Sequence, residues 1–139
     1  MIEPGFDRVS EGARLLIWGI RHWMVALLHD ECVPVSVTRR FASAGDGAFG
    51  AIVAMTLLAA RDADRPLRVF PPCCAELSED EQRIASAFDC IQGSLAAAHE
   101  QLQRLIGRNP SYALLERLCD VSTRLTSSGR ISPLSAAIA

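Results

Sequence analysis

The sequence predicts an all-α protein, a helical bundle of four main helices with a C-terminal antiparallel helical hairpin. Half of the 139 residues are hydrophobic and only 6% are aromatic. The core is therefore expected to consist of Leu, Ile, Val and Ala, a composition that favours helices. Several stretches also repeat apolar residues at helical spacing. A chain of this length is expected to form a single domain, residues 1–139, in which residues 130–139 are a loosely held tail.

The first predicted helix covers about residues 10–29. Its apolar side chains cover most of its surface and leave one narrow polar stripe that contains Arg14, Arg21, His22 and His29. An apolar face this wide needs cover on several sides. The helix is therefore expected to be central to the bundle or to form part of a subunit interface. We interpret the stripe as a solvated polar face, with an anion-binding row as the alternative.

The second predicted helix covers about residues 47–61. It is apolar almost all round and carries small residues such as Gly47 and Gly50. Small residues at this spacing allow another helix to approach closely, so a buried helix is expected.

Two shorter segments are ambiguous. Residues 33–38 combine β-branched residues with Pro34, and we interpret them as a short helix or an irregular turn, with a strand as the alternative. Residues 67–70 alternate like a strand before Pro71 and Pro72. Because one strand alone cannot form a sheet, we interpret residues 67–70 as an extended linker, with strand pairing as the alternative.

The third predicted helix covers about residues 79–106. Ser78 and Glu81 have the spacing of a capping box at its start. Gly93 is the one residue inside this helix that disfavours it. Apolar residues then follow at alternating four- and three-residue steps, as in a helix that packs lengthwise against another: Ile84, Phe88, Ile91, Leu95, Ala98, Leu102 and Leu105. This spacing predicts one continuous helix with Phe88 and Leu102 buried.

The fourth predicted helix begins at Asn109 and Pro110, as an N-cap followed by proline, and ends near Ser127. Gly107 is expected to end the preceding helix in the left-handed conformation. The apolar positions of the fourth helix again follow four-three-four spacing: Leu114, Leu118, Val121 and Leu125. The short connection predicts that the third and fourth helices fold back on each other as the C-terminal hairpin.

Charge and hydropathy indicate a cytoplasmic protein that binds neither nucleic acid nor membrane. The formal net charge is −2, and Arg39-Arg40 is too small a basic patch for nucleic-acid binding. The apolar stretch 15–28 is interrupted by Arg21 and His22, and the stretch 48–60 is too short to cross a bilayer. The acidic N-terminal sequence does not resemble a signal peptide.

Adjacent Cys73 and Cys74, which follow two prolines, are the most unusual local feature. Two thiolates bind soft metals, and adjacent cysteines can form a strained disulfide. Together with Cys32 and His29 they would make a Cys₃His zinc set. Adjacent cysteines are poor chelators, however, and free cysteines are usually buried. We therefore favour the interpretation that Cys73 and Cys74 are small apolar residues buried beneath the helices, and we expect no metal and no cofactor.

The remaining candidate residues also have structural explanations. We expect Cys90 and Cys119 to lie in the core, and Trp18 and Trp23 to anchor the core or an interface. The sequence contains no Gly-x-Ser-x-Gly elbow, phosphate-binding glycine loop or His-Glu-x-x-His motif. All 14 residues counted as Lys or Arg are arginine, which excludes lysine-dependent chemistry. No catalytic residue is therefore predicted.

Three short motifs resemble the pattern of a family of small, uncharacterised bacterial helical proteins. They are residues 41–45, residues 72–74 and residues 77–81. The resemblance implies a bacterial origin and a helical fold. It implies no reaction.

Three hypotheses of function remain open. The first is a non-enzymatic interaction or scaffolding protein that self-associates as a homodimer, because the helices carry more apolar surface than they can easily hide. The second is a thiol- or metal-based sensor that uses the Cys73-Cys74 pair. The third is an enzyme or carrier with a pocket near the first helix, for which a pocket lined by Arg14, Arg21 or His22 would be the supporting observation.

Overall fold

The computed structural model describes residues 9–45 and 47–126. The predicted all-α class is confirmed: 69% of the structure is helical, and the described residues contain no strand. Its six α-helices are α1 (Glu11–Leu28), α2 (Val35–Arg40), α3 (Ala48–Asp62), α4 (Glu79–Cys90), α5 (Leu95–Ile106) and α6 (Tyr112–Thr126). The predicted loose tail, residues 130–139, lies outside the described residues.

The prediction of one continuous helix over residues 79–106 is wrong. α4 ends at Cys90, the chain turns over residues 91–94, and α5 starts at Leu95. Gly93 has low helix propensity, and the Ser94 hydroxyl accepts a hydrogen bond from the Ala97 N–H at 3.1 Å. A poor helix former at Gly93, followed directly by an N-cap at Ser94, therefore breaks the helix although the apolar spacing continues.

The apolar spacing nevertheless identifies core positions on both sides of this turn. Phe88 and Leu102 are buried as expected, and Leu95 is 59% exposed. α5 folds back to pack extensively on α4, and α6 packs extensively on α3. The predicted hairpin of the third and fourth helices is not confirmed, because these extensive pairs do not include α5 with α6. The apolar positions of the third and fourth predicted helices therefore face the shared core rather than each other.

Helix boundaries follow the capping chemistry of the sequence. The Ser78 hydroxyl accepts from the Glu81 N–H at 3.0 Å and the Glu81 carboxylate accepts from the Ser78 N–H at 2.9 Å, so the predicted capping box is present. α6 begins later than predicted, because Ser111 rather than Asn109 caps it: its hydroxyl accepts from the Leu114 N–H at 3.2 Å.

The ambiguous segments are also resolved. Within residues 33–38, the short helix α2 begins at Val35, and a 3₁₀ turn over Ala42–Ala44 follows α2. Residues 66–70 form neither a helix nor a strand, in agreement with the linker interpretation. In the described part of the chain, no helix has the length and apolar character needed to span a bilayer.

Gly19 allows a close approach between α1 and the turn after α2. A Cβ atom at this position would lie 2.7 Å from Cζ of Phe41, which is fully buried. The Phe41 ring is held between Trp18, at 6.1 Å between centroids, and Phe49, at 5.4 Å. The glycine is therefore required by packing.

We expect Gly19→Ala to lower the free energy of unfolding. Overpacking costs about 1–3 kcal/mol, which outweighs the gain in helix propensity of up to ~1 kcal/mol. Gly50→Ala in α3 is the matched control, because a Cβ there meets nothing within 4 Å. It should leave stability unchanged or raise it. Urea denaturation measures both variants, and equal behaviour would contradict the packing role of Gly19.

Candidate functional site

An apolar cleft opens between α1 and α3, and it is the best candidate for a functional site. One wall comes from α1, which turns the side chains of Ile20, Trp23, Met24 and Leu27 towards it at helical spacing. Its volume is about 280 Å³. The remaining walls come from α3, the 63–70 segment and α4 to α6: Met55, Thr56, Leu57, Ala59, Ala60, Pro66, Leu67, Val69, Ile84, Leu102, Leu105, Leu114 and Leu118.

The rim of the cleft faces solvent. Leu27 of α1 is 57% exposed and Leu57 of α3 is 52% exposed. Farther inside, Ile20 and Met55 are buried. The cleft thus runs from an apolar rim at the surface into the hydrophobic core, and α3 is only partly buried, in contrast to the prediction.

The cleft offers almost no polar chemistry. Among the described residues that line it, the polar side-chain groups are the hydroxyl of Thr56 and the indole N–H of Trp23. The Thr56 hydroxyl donates to the carbonyl of Ile52, one turn earlier in α3, at 2.8 Å. Its proton is therefore already used, and the site is suited to binding apolar surface rather than to acid–base catalysis.

The 63–70 segment forms the wall of the cleft next to α4. Leu67 and Val69 face the cleft, while the backbone N–H of Arg68, between them, donates to the Asp80 carboxylate at 2.7 Å. The Arg68 carbonyl accepts from the Ser78 hydroxyl at 2.7 Å. The start of α4 thus supplies the backbone partners that a neighbouring strand would otherwise supply.

Arg65 adds a second link between this segment and α4. Its guanidinium donates two hydrogen bonds to Asp80, at 3.1 and 2.8 Å. The hydrogen bonds and charge of Asp80 raise the pKa of Arg65. Asp80 therefore binds both the backbone and a side chain of the 63–70 segment.

A buried ion pair connects α1 to the start of α4. Arg21 is 1% exposed and Glu81 is 0% exposed, and the guanidinium donates to the carboxylate at 2.8 and 2.9 Å. Arg21 also donates to the carbonyls of Cys74, at 2.8 Å, and Glu76, at 2.6 Å. The guanidinium donates these four hydrogen bonds, and they offset the hydration that Arg21 loses on burial.

The polar stripe of the first helix is therefore not a solvated row. Arg21 is buried, contrary to the prediction, and the anion it binds is the internal carboxylate of Glu81. Arg14 and His22 are half-buried and His29 is exposed. Burial lowers the pKa of His22, whose ring lies 4.7 Å from that of Trp18. The cleft lies on another face of α1 and includes none of these four side chains.

The cysteines are more accessible than predicted. Cys73 is exposed and Cys74 is half-buried, so only Cys74 is partly tucked against the bundle. Cys119 is exposed and Cys90 is half-buried, which makes the core prediction wrong for Cys119. Cys32 is exposed, and all five cysteines are free.

The candidate zinc ligands are not brought together. Cys32 and His29 lie in the loop after α1, and Cys73 and Cys74 lie before α4. Among the residues that the structure describes, no group of three or more His, Cys, Asp or Glu side chains is arranged to hold a metal ion.

Sequence reasoning raised a pocket near the first helix only as its third hypothesis, with polar side chains as the supporting lining, and it missed the Arg21–Glu81 pair. The pair joins positions that are 60 residues apart, and the capping box already explained Glu81. One available signal was the position of Arg21 in the middle of a helix whose surface is mostly apolar, since a buried arginine is almost always paired.

Comparison with known proteins found no relatives. No protein-family model matches the chain, and no curated protein and no solved structure matches it significantly. The resemblance to small bacterial helical proteins therefore stays a prediction.

Arg21→Met is expected to lower the free energy of unfolding by about 3–5 kcal/mol, because it leaves Glu81 buried without its cation. Glu81→Gln combined with Arg21→Met should lose less than the sum of the two single variants, since the neutral amide keeps an oxygen for the Ser78 N–H. Urea denaturation of the three variants gives the coupling energy.

Arg83→Met is the control for this experiment. Arg83 pairs with Glu79 across one turn at the surface of α4, at 3.4 Å. Loss of such a pair costs about 1 kcal/mol or less. A loss for Arg21→Met no larger than for Arg83→Met would contradict the importance of the buried pair.

Proposed function

We propose that this protein is a non-enzymatic interaction protein that self-associates as a homodimer through the rim of the apolar cleft. The observation that carries the proposal is the exposure of Leu27 and Leu57 on either side of an apolar opening. Apolar surface that remains in water around such an opening is typical of an interaction site.

A second copy of the chain is the occupant that the chemistry of the rim favours. In the described part of the chain, none of the side chains that line the cleft is charged, and depletion of charge marks the centre of protein interfaces. In a two-fold dimer each rim meets its own equivalent, so leucine faces leucine without any need for opposite charges. The small net charge of −2 adds little repulsion between copies.

A bacterial origin and a cytoplasmic location belong to the same proposal. The five free cysteines support a reducing compartment, where thiols remain unpaired.

We expect the wild-type protein to sediment as a dimer at micromolar concentration and Leu57→Asp to sediment as a monomer. The aspartate would place a charge in the apolar centre of the interface, where its desolvation opposes association. Analytical ultracentrifugation over a range of concentrations measures the change.

Leu95→Asp is the matched control, because Leu95 is 59% exposed at the start of α5 and does not line the cleft. It should remain dimeric. A monomeric wild-type protein, or an equal loss of dimer in both variants, would contradict the proposal.

A thiol-based sensor is the second candidate, and the exposure of Cys73 favours it. The neighbouring Cys74 carbonyl is bound by Arg21, so a change at Cys73 would act on the loop that the buried ion pair holds. The sensing reaction would be thiol–disulfide exchange with glutathione disulfide. The Cys73 thiolate attacks one sulfur, a mixed disulfide forms, and the other glutathione leaves as a thiolate.

A sensor role predicts that glutathione disulfide modifies Cys73 at least tenfold faster than Cys119. Both thiols are exposed, so a difference in rate would report the setting of the loop rather than access alone. Mass spectrometry of the wild type, Cys73→Ser and Cys119→Ser measures the rates. Equal rates at the two sites would argue against a sensor.

A further inference from the structure

We propose that the inner part of the apolar cleft binds a neutral, apolar small molecule about the size of two fused aromatic rings. This binding goes beyond self-association and uses different residues. The rim carries the proposed dimer contact, whereas the ligand would contact the walls behind it.

The depth of the cleft is the first argument. Its floor consists of side chains from four helices that are buried in the core: Met55 of α3, Ile84 of α4, Leu102 and Leu105 of α5, and Leu114 and Leu118 of α6. A surface groove for a protein partner would touch only the outer side chains of its helices. This cleft reaches the centre of the packed core, a place that a compact ligand can fill.

Its volume is the second argument. Protein cores are packed to the density of organic crystals, and voids larger than one water molecule are few. The cleft holds about 280 Å³, roughly twice the ~150 Å³ of an apolar cavity that binds benzene. A ligand larger than one ring therefore fits, and filling the space restores dispersion contacts that the wall residues lack.

The chemistry of the walls selects a neutral ligand. No charged side chain from residues 9–45 or 47–126 lines the cleft, and the Thr56 hydroxyl donates its proton to the Ile52 carbonyl. An ionised ligand would lose its hydration without gaining a charged partner. Trp23 contributes an aromatic side chain to the lining, and Met24 and Met55 contribute flexible, polarisable side chains that adapt to planar ligands.

Naphthalene and 1-naphthalenesulfonate provide the test, since they share a ring system and differ in charge. We expect naphthalene to bind wild-type protein saturably with one molecule per chain, and the sulfonate to bind at least tenfold more weakly. Isothermal titration calorimetry measures both. Failure of naphthalene to bind, or equal binding of the sulfonate, would overturn the proposal.

Ala59→Leu locates the site. Ala59 is buried in the wall of the cleft, so a leucine would occupy ligand space and should weaken naphthalene binding at least tenfold. Ala96→Leu is the matched control on the exposed face of α5 and should leave binding unchanged. If Ala59→Leu does not fold, Met24→Trp narrows the cleft at a half-buried position and should have the same effect. Unchanged binding in the folded cleft variant would overturn the assignment.

The two proposals fail separately. Ala59→Leu should lose naphthalene binding and remain a dimer, because Ala59 lies behind the rim. A dimeric wild type that does not bind naphthalene would overturn the inner site alone, whereas a monomeric wild type that binds naphthalene would overturn self-association alone.

Discussion

The buried ion pair between Arg21 and Glu81 is the interaction on which the rest of the structure depends. A guanidinium and a carboxylate that leave water lose several kcal/mol of hydration each, and close geometry with further hydrogen bonds must offset this loss. Glu81 accepts from Arg21, from the Ser78 N–H at 2.9 Å and from the Phe70 N–H at 3.3 Å. One carboxylate therefore joins α1, the start of α4 and the end of the 63–70 segment.

This junction also explains why the cleft has a wall at all. A segment outside helices and sheets needs other partners for its backbone groups. Here the carboxylates of Asp80 and Glu81 bind the N–H groups of Arg68 and Phe70, and the Asp64 N–H donates to the Ile106 carbonyl at 2.9 Å. With its backbone held on the α4 side, the segment turns Leu67 and Val69 towards α1 and α3.

Local patterns in the sequence predicted local structure well and long-range contacts poorly. The capping box at Ser78 and the apolar positions Phe88 and Leu102 depend on neighbours within a few residues, and both predictions are confirmed. The helix break at Ser94 was missed because the apolar pattern continues through it when both helices face one core. The cleft depends on how six segments come together, and no local pattern encodes a space that side chains leave empty.

The reversal between α4 and α5 has a consequence for how the chain folds. It brings two amphipathic helices together across only the four residues 91–94, so the entropy of loop closure is small. Contacts so near in the chain form quickly, whereas the contact between Arg21 and α4 must close a loop of 60 residues. We expect the α4–α5 unit to act as the nucleus, with α1 docking onto it as the later step.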